Sequence, residues 1–223
     1  MSERNAGQGP IVVINPNSSE QVTEEIARAV APFRLSDGPT FECIGIAHGP
    51  ATISTMKDSA EAALNVAEIV QSRADASAFV VACFSDPGVD LCRTLVRQPV
   101  IGIQEAGILS AMAQADLFGI IALGPASVAR HRLRIRQMGV EARLAAELPL
   151  DNVSAEDAGQ SAAVFEQTLE VGAKLRAAGA GAIVLGCAGF SPRRRALEQE
   201  IGIRVVDPVT AAATLALSAS VGL

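Results

Sequence analysis

Two cysteines stand where an apolar run stops and turn-forming residues begin. Cys83 closes the run in "VVACFSDPG" (80–88), and Cys187 holds the same place in "IVLGCAGFSP" (183–192). The thiolate is the reactive form of cysteine. Its pKa falls beside a helix N-terminus, where unpaired N–H groups and the helix dipole favour negative charge. Both stretches supply such a terminus: Asp86 can cap a helix beginning near Pro87, and Ser191 with Pro192 reads as an N-cap and first helical residue. Two sulfurs on opposite faces of a carbon acid invert it if one removes a proton while the other returns one, a reaction that requires no metal or organic cofactor. Cys43, within an expected strand, and Cys92, on a helix face, read as small buried hydrophobes. Singly, Cys83 and Cys187 admit that reading too; their matched settings favour chemistry.

The elements that would position these thiols alternate between short β-branched runs and longer amphipathic stretches, the pattern of βαβ units around a parallel sheet. "IVVIN" (11–15) is a strand. The helix "SSEQVTEEIARAV" follows, with Ser18 as N-cap, Gln21 completing a capping box, and Val22, Ile26 and Val30 on its buried stripe. A strand near 41–46, a helix within 53–73, and strands at 78–83 and 99–103 continue the series. A second series opens with a strand at 117–124, then a helix from near Ser127 and a short strand near 142–145. A long helix from Ser154 to about Ala178, ended by Gly179, precedes strands at 182–187 and 203–207. The last helix starts with Pro208 at its first position and returns to the first series.

The two series match. Asn15, ending the first strand, precedes Cys83 by 68 residues, and Gly124, ending the equivalent strand, precedes Cys187 by 63. This is the signature of two pseudo-symmetric α/β lobes with mostly parallel sheets: residues 10–104 with 208–223 form the first, and 105–207 the second. Ligands of open α/β sheets sit at the carboxyl ends of the strands, so facing lobes would hold both thiols in the cleft between them.

Around this pair, Asn15 and Ser18 either bond a ligand or cap the helix. The equivalent loop of the second lobe, Gly124–Ser127, offers Pro125 and Ser127 on the same terms. His48 sits in a loop, and Glu105 is a cleft acid or a helix-start carboxylate. Composition excludes several classes. The 223 residues carry a net charge of −6, which disfavours nucleic acid; Arg193, Arg194 and Arg195 read as a solvated helix face. No apolar run approaches the ~20 residues of a membrane span. The first ten residues read as a disordered tail without a signal peptide, and four unevenly spaced cysteines suit a reducing cytoplasm. With two histidines and no C-x-x-C pair, no metal site is expected.

"INPNSS" (14–19), "ACFSDPG" (82–88), "PVIGIQEA" (99–106), "GCAGF" (186–190) and "VVDPVTAA" (205–212) together resemble the hydantoin racemase family, which includes allantoin racemase and lies in the aspartate/glutamate racemase superfamily. The resemblance spans nearly the whole chain. It implies a cofactor-independent, homo-oligomeric racemase of 5-substituted hydantoins, with Cys83 and Cys187 as its two bases and a small hydantoin-type ring as substrate. Superfamily members acting on amino acids carry Asn-Thr after the first cysteine and Thr-His after the second; here stand Phe84-Ser85 and Ala188-Gly189. Loss of those polar groups favours a neutral ring, which Phe84, Ser85, Ala188 and Gly189 would contact, with backbone N–H groups after each cysteine stabilising enolate charge. Rival readings are a maleate isomerase or amino-acid racemase of the superfamily, a single-cysteine arylmalonate-type decarboxylase, and a non-catalytic α/β binding protein with redox-sensitive thiols.

Overall fold

The computed structural model describes residues 9–221. Residues 1–8 of the expected tail lie outside that range, while Pro10 already accepts a backbone hydrogen bond from Ser77. The apolar runs form eight strands: β1 (Ile11–Asn15), β2 (Phe41–Gly45), β3 (Ala78–Val81), β4 (Val100–Gly102), β5 (Phe118–Ala122), β6 (Leu144–Pro149), β7 (Ala182–Leu185) and β8 (Arg204–Val206). They pair in parallel as two sheets of identical order, β2-β1-β3-β4 and β6-β5-β7-β8. Strands β1, β3, β5 and β7 are buried at every position, which is why their sequences run apolar without alternation.

The helices are α1 (Glu20–Val30), α2 (Met56–Ser72), α3 (Val89–Leu95), α4 (Ile103–Gln114), α5 (Pro125–Gln137), α6 (Ala155–Gln160), α7 (Ala162–Ala177), α8 (Arg194–Ile201) and α9 (Pro208–Ser220). Successive strand residues point to opposite faces, so each sheet feeds two cores. Val13 and Val80 of one sheet, and Ile120 and Val184 of the other, share a central core with Ile108 of α4 and Ala212 of α9. Val12 and Phe79 pack outward with Val66 of α2; Ile121 and Ile183 do so with Leu175 of α7. Helix α4 packs on β7 and β8, whereas α9 packs on β3 and β4 and against α4.

Several local expectations change. The N-cap of α1 is Ser19 rather than Ser18, and its hydroxyl accepts from Val22 N–H, so Gln21 closes no capping box. The helix expected over 154–178 breaks at Ser161, whose backbone turns extended (ψ 127°) and whose hydroxyl caps α7. Helix α4 begins at Ile103, directly after β4, so the strand expected over 99–103 ends one residue early and Glu105 stands in the first turn of a helix, one of its two expected places. Asp86 does not cap α3, which starts from Gly88. It accepts instead from Gln104 N–H (2.8 Å) and Glu105 N–H (2.9 Å), closing the N-terminus of α4.

Candidate active site

Both cysteines lie two residues past a central strand, and the register makes their settings equivalent. Ile14 pairs with Val81 and Ile121 with Leu185. One further bond continues each ladder: Ala82 N–H donates to Ile14 O, and Gly186 N–H to Ile121 O, both at 2.8 Å. The chain then leaves the sheet, and Cys83 and Cys187 face one small cavity of about 50 Å³ between the sheets. Its wall also includes Asn17, Thr52, Ile53, Phe84, Ser127, Arg130, His131 and Ala188.

The two sulfurs have different neighbours. Cys83 Sγ lies 3.6 Å from the Ser85 hydroxyl, in a tight turn where Ser85 and Asp86 N–H donate to the Cys83 carbonyl. Cys187 is the N-cap of a 3-10 turn over 188–193, and Gly189 N–H donates to its Sγ at 3.4 Å. A helix start therefore does meet Cys187, though nearer than Ser191–Pro192. The Ser191 hydroxyl bonds Ala188 O and Asp207 Oδ1. Gly189 is needed for close approach: a Cβ there would stand 1.9 Å from Ala155 O of α6.

Helix proximity does not hold the thiols down. Burial in a cavity that admits little water pushes Cys83 up to about 11, against the lowering effects of Ser85 and Arg130. It pushes Cys187 up to about 12, against the Gly189 N–H and with a further rise from Cys83. Desolvation acts on the whole charge, whereas one N–H or hydroxyl returns a fraction of it.

The remaining candidates separate. Phe84, Ser127 and Ala188 line the cavity. Asn15 does not: its amide is spent on Asn17, Ser19 O and Thr23, organising the turn that places Asn17 at the wall instead. Ser18 is tied through its N–H to Pro50 O, Pro125 opens α5, and Ser85 and Gly189 act on the sulfurs rather than at the wall. Glu105 pairs with Arg93 and Arg134, and His48 is exposed and away from the cavity.

Sequence reasoning missed Arg130 and His131, consecutive residues of α5. His131 Nδ1 is 2.6 Å from Glu147 Oε1 of β6, both side chains being almost wholly buried, and the Phe84 ring meets the imidazole edge-on at 4.8 Å. Arg130 donates to the carbonyls of Ile53 and Ser54, across the cleft in the loop before α2. The sequence shows only the basic run "ARHRLR" (129–134), whose spacing does not say which of its side chains are buried. Among the described residues no cluster of His, Cys, Asp and Glu could hold a metal ion, and no helix is long and apolar enough to cross a membrane.

Comparison with known proteins agrees with the fold. The Asp/Glu/hydantoin racemase family profile matches residues 11–216. The hydantoin racemase of Paenarthrobacter aurescens is 38% identical over 215 residues, covering 93% of this chain and 89% of that protein. The allantoin racemase from Klebsiella pneumoniae superposes with a TM-score of 0.89 at 31% identity, covering 96% and 89% of the two chains. The allantoin racemase of Pseudomonas fluorescens gives 0.87 at 25% identity, covering 96% and 92%.

Proposed function

The chain belongs to the Asp/Glu/hydantoin racemase family of isomerases, and from that premise we propose that it racemises 5-substituted hydantoins by proton transfer at C5 between Cys83 and Cys187. The observation that carries this reading is the equivalent placement of the two cysteines around one cavity, each two residues beyond a central strand. One sulfur, as thiolate, takes the C5 proton and becomes a thiol, leaving a planar enolate. The other, as thiol, delivers its proton to the opposite face and becomes the thiolate. The sulfurs exchange protonation states, so the product form of the enzyme is poised for the reverse enantiomer. The lobes supplying them are 10–104 with 208–223, and 105–207.

The wall favours a ring over an amino acid. Among the described residues no carboxylate lines the cavity, so a substrate ammonium would lose water without an ionic partner, at a cost of several kcal/mol. A hydantoin brings only carbonyls and N–H groups, which Asn17 and Thr52 can pair. Phe84 and Ala188, each following a cysteine, also line the cavity. No acceptor for either backbone N–H is present among the described residues, so both are available to a developing enolate oxygen.

The test is a panel of single-enantiomer hydantoins, allantoin among them, followed by chiral chromatography in deuterated water. Each turnover should place deuterium at C5 of the inverted product. Cys83→Ser and Cys187→Ser should each abolish racemisation, because an alcohol is a poor base near neutral pH. The best hydantoin should exceed L-glutamate in kcat/KM by at least about a hundredfold, ~2.7 kcal/mol of barrier. Full activity in either serine variant, or glutamate as the better substrate, would sink the reading.

A further inference from the structure

Helix α5 buries three basic side chains, Arg130, His131 and Arg134. His131 has Glu147, and Arg134 has Asp90 and Glu105. Arg130, only 8% exposed, has no such partner among the described residues: its acceptors are the carbonyls of Ile53, Ser54 and Ala126 and the hydroxyl of Ser127, all neutral. Its Nε–H is buried and meets no acceptor among the described residues. A guanidinium does not shed its proton, so a full positive charge stays inside the molecule with no carboxylate in contact; Asp58, at the start of α2, feels that charge but forms no ion pair with it among the described residues. Such a charge is costly unless an anion arrives to meet it. Arg130 shares its cavity wall with Cys83 and Cys187, where on the two-thiol reading an anion would form, first on sulfur and then on the substrate.

We propose that Arg130 is a third catalytic group of this cleft, the fixed cation that offsets negative charge as it passes between the Cys83 sulfur and the oxygen of the ring enolate. The proposal rests on the two-thiol reading of the site. It assigns a purpose to the reach of Arg130 across the cleft: the Ile53 and Ser54 carbonyls, on the first-sheet side, hold the guanidinium of a second-sheet helix over the cavity. It also supplies what the buried thiols lack, since Arg130 opposes the effect of burial at Cys83. The other ionisable groups around Cys83 are Cys187, Asp86, whose charge acts the opposite way, and His131, which shares the cavity wall and is paired with Glu147.

The experiment compares the intact protein with Arg130→Gln and Arg130→Lys. The rate of Cys83 alkylation by neutral iodoacetamide is followed by peptide mass at fixed pH, with Cys43 as internal control, alongside kcat/KM on the best hydantoin. Loss of the cation should slow Cys83 alkylation about tenfold in Arg130→Gln, as thiolate becomes scarcer, and leave Cys43 unchanged. kcat/KM should fall about 10²- to 10³-fold, mostly in kcat. Arg130→Lys should lie between, because a buried amine keeps its proton less firmly than a guanidinium. A merely structural tie would do the reverse: loosening the 53–54 segment exposes the sulfur and speeds alkylation. A folded Arg130→Gln with lower Tm but unchanged or faster alkylation overturns the proposal. If that variant does not fold, an unchanged or faster rate in Arg130→Lys overturns it and a slowed one upholds it. Should the wild type racemise no hydantoin, the two-thiol reading falls on its own, and the alkylation rates still decide what Arg130 does to Cys83.

Discussion

At the residue scale the site sets two demands against each other. A two-base mechanism needs one thiolate, yet burial holds Cys83 near about 11 and Cys187 near about 12. The sign is that of desolvation, which penalises the charged form. The prediction concerns the substrate-free protein. Alkylation of both cysteines should still climb about tenfold per pH unit between pH 8 and 10, where a solvated thiol levels off past its ~8.5 pKa. A plateau near pH 8.5 for either sulfur would show that the cleft is wetter than its walls imply. The arrangement suits a proton carrier, because a thiolate destabilised by burial is a strong base once it has formed.

Elements set the distances that these residues cannot set for themselves. Helix α6 and the 3-10 turn after Cys187 touch backbone to backbone at Ala155 and Gly189, and Gln160 of α6 reaches Glu25 of α1 at 2.7 Å. That contact explains why the 154–178 helix breaks: a straight helix could not both lie along the second sheet and cover the Cys187 turn. Gly189→Ala should therefore push the turn off α6, costing about 1–3 kcal/mol of stability as overpacked sites do. Because the moved atoms carry the Cys187 sulfur and its N–H donor, kcat should fall at least tenfold. Thermal melts and kinetics on the same preparation would check both. Wild-type kcat with a lowered Tm would mean that the turn tolerates displacement.

For the whole molecule, the cavity between the sheets is the limiting fact. About 50 Å³ holds a water or two, whereas pockets for small organic ligands begin near ~300 Å³. In the described conformation the cavity is too small for the proposed ring, whose entry would require walls that belong to different sheets to separate. Sheets sharing one central core with α4 and α9 resist separation, so the wall we predict to move is the connection between β2 and α2, residues 46–55. It is held to α5 by the Arg130 bonds and contributes Thr52 and Ile53 to the wall. Amide hydrogen exchange in 46–55 should be fast in the free protein and slow severalfold with a bound, unreactive ring analogue, while β1, β3, β5 and β7 stay protected throughout. Equal exchange with and without ligand would place the entrance elsewhere.

The sequence by itself determined both parallel sheets and their repetition, because buried parallel strands write themselves as apolar runs, and it singled out Cys83 and Cys187, which the fold brings to one cavity, by their distance from such runs. Its five ordered motifs also determined the family. It did not disclose α4, whose buried positions Ile103, Gln104, Ala106, Gly107, Ile108 and Ala111 run nearly all round the helix and leave no amphipathic period to detect. Nor did it separate wall from scaffold: Asn15 and Asn17 are the same residue type two positions apart, and only the bonds of Asn15 to Ser19 and Thr23 decide which of them faces the cavity. Arg130 and His131 were decided by tertiary structure alone. Local spacing places a side chain on a face of its own helix, but which face meets the other sheet, and which buried cation finds no carboxylate there, depends on neighbours tens of residues away in the chain.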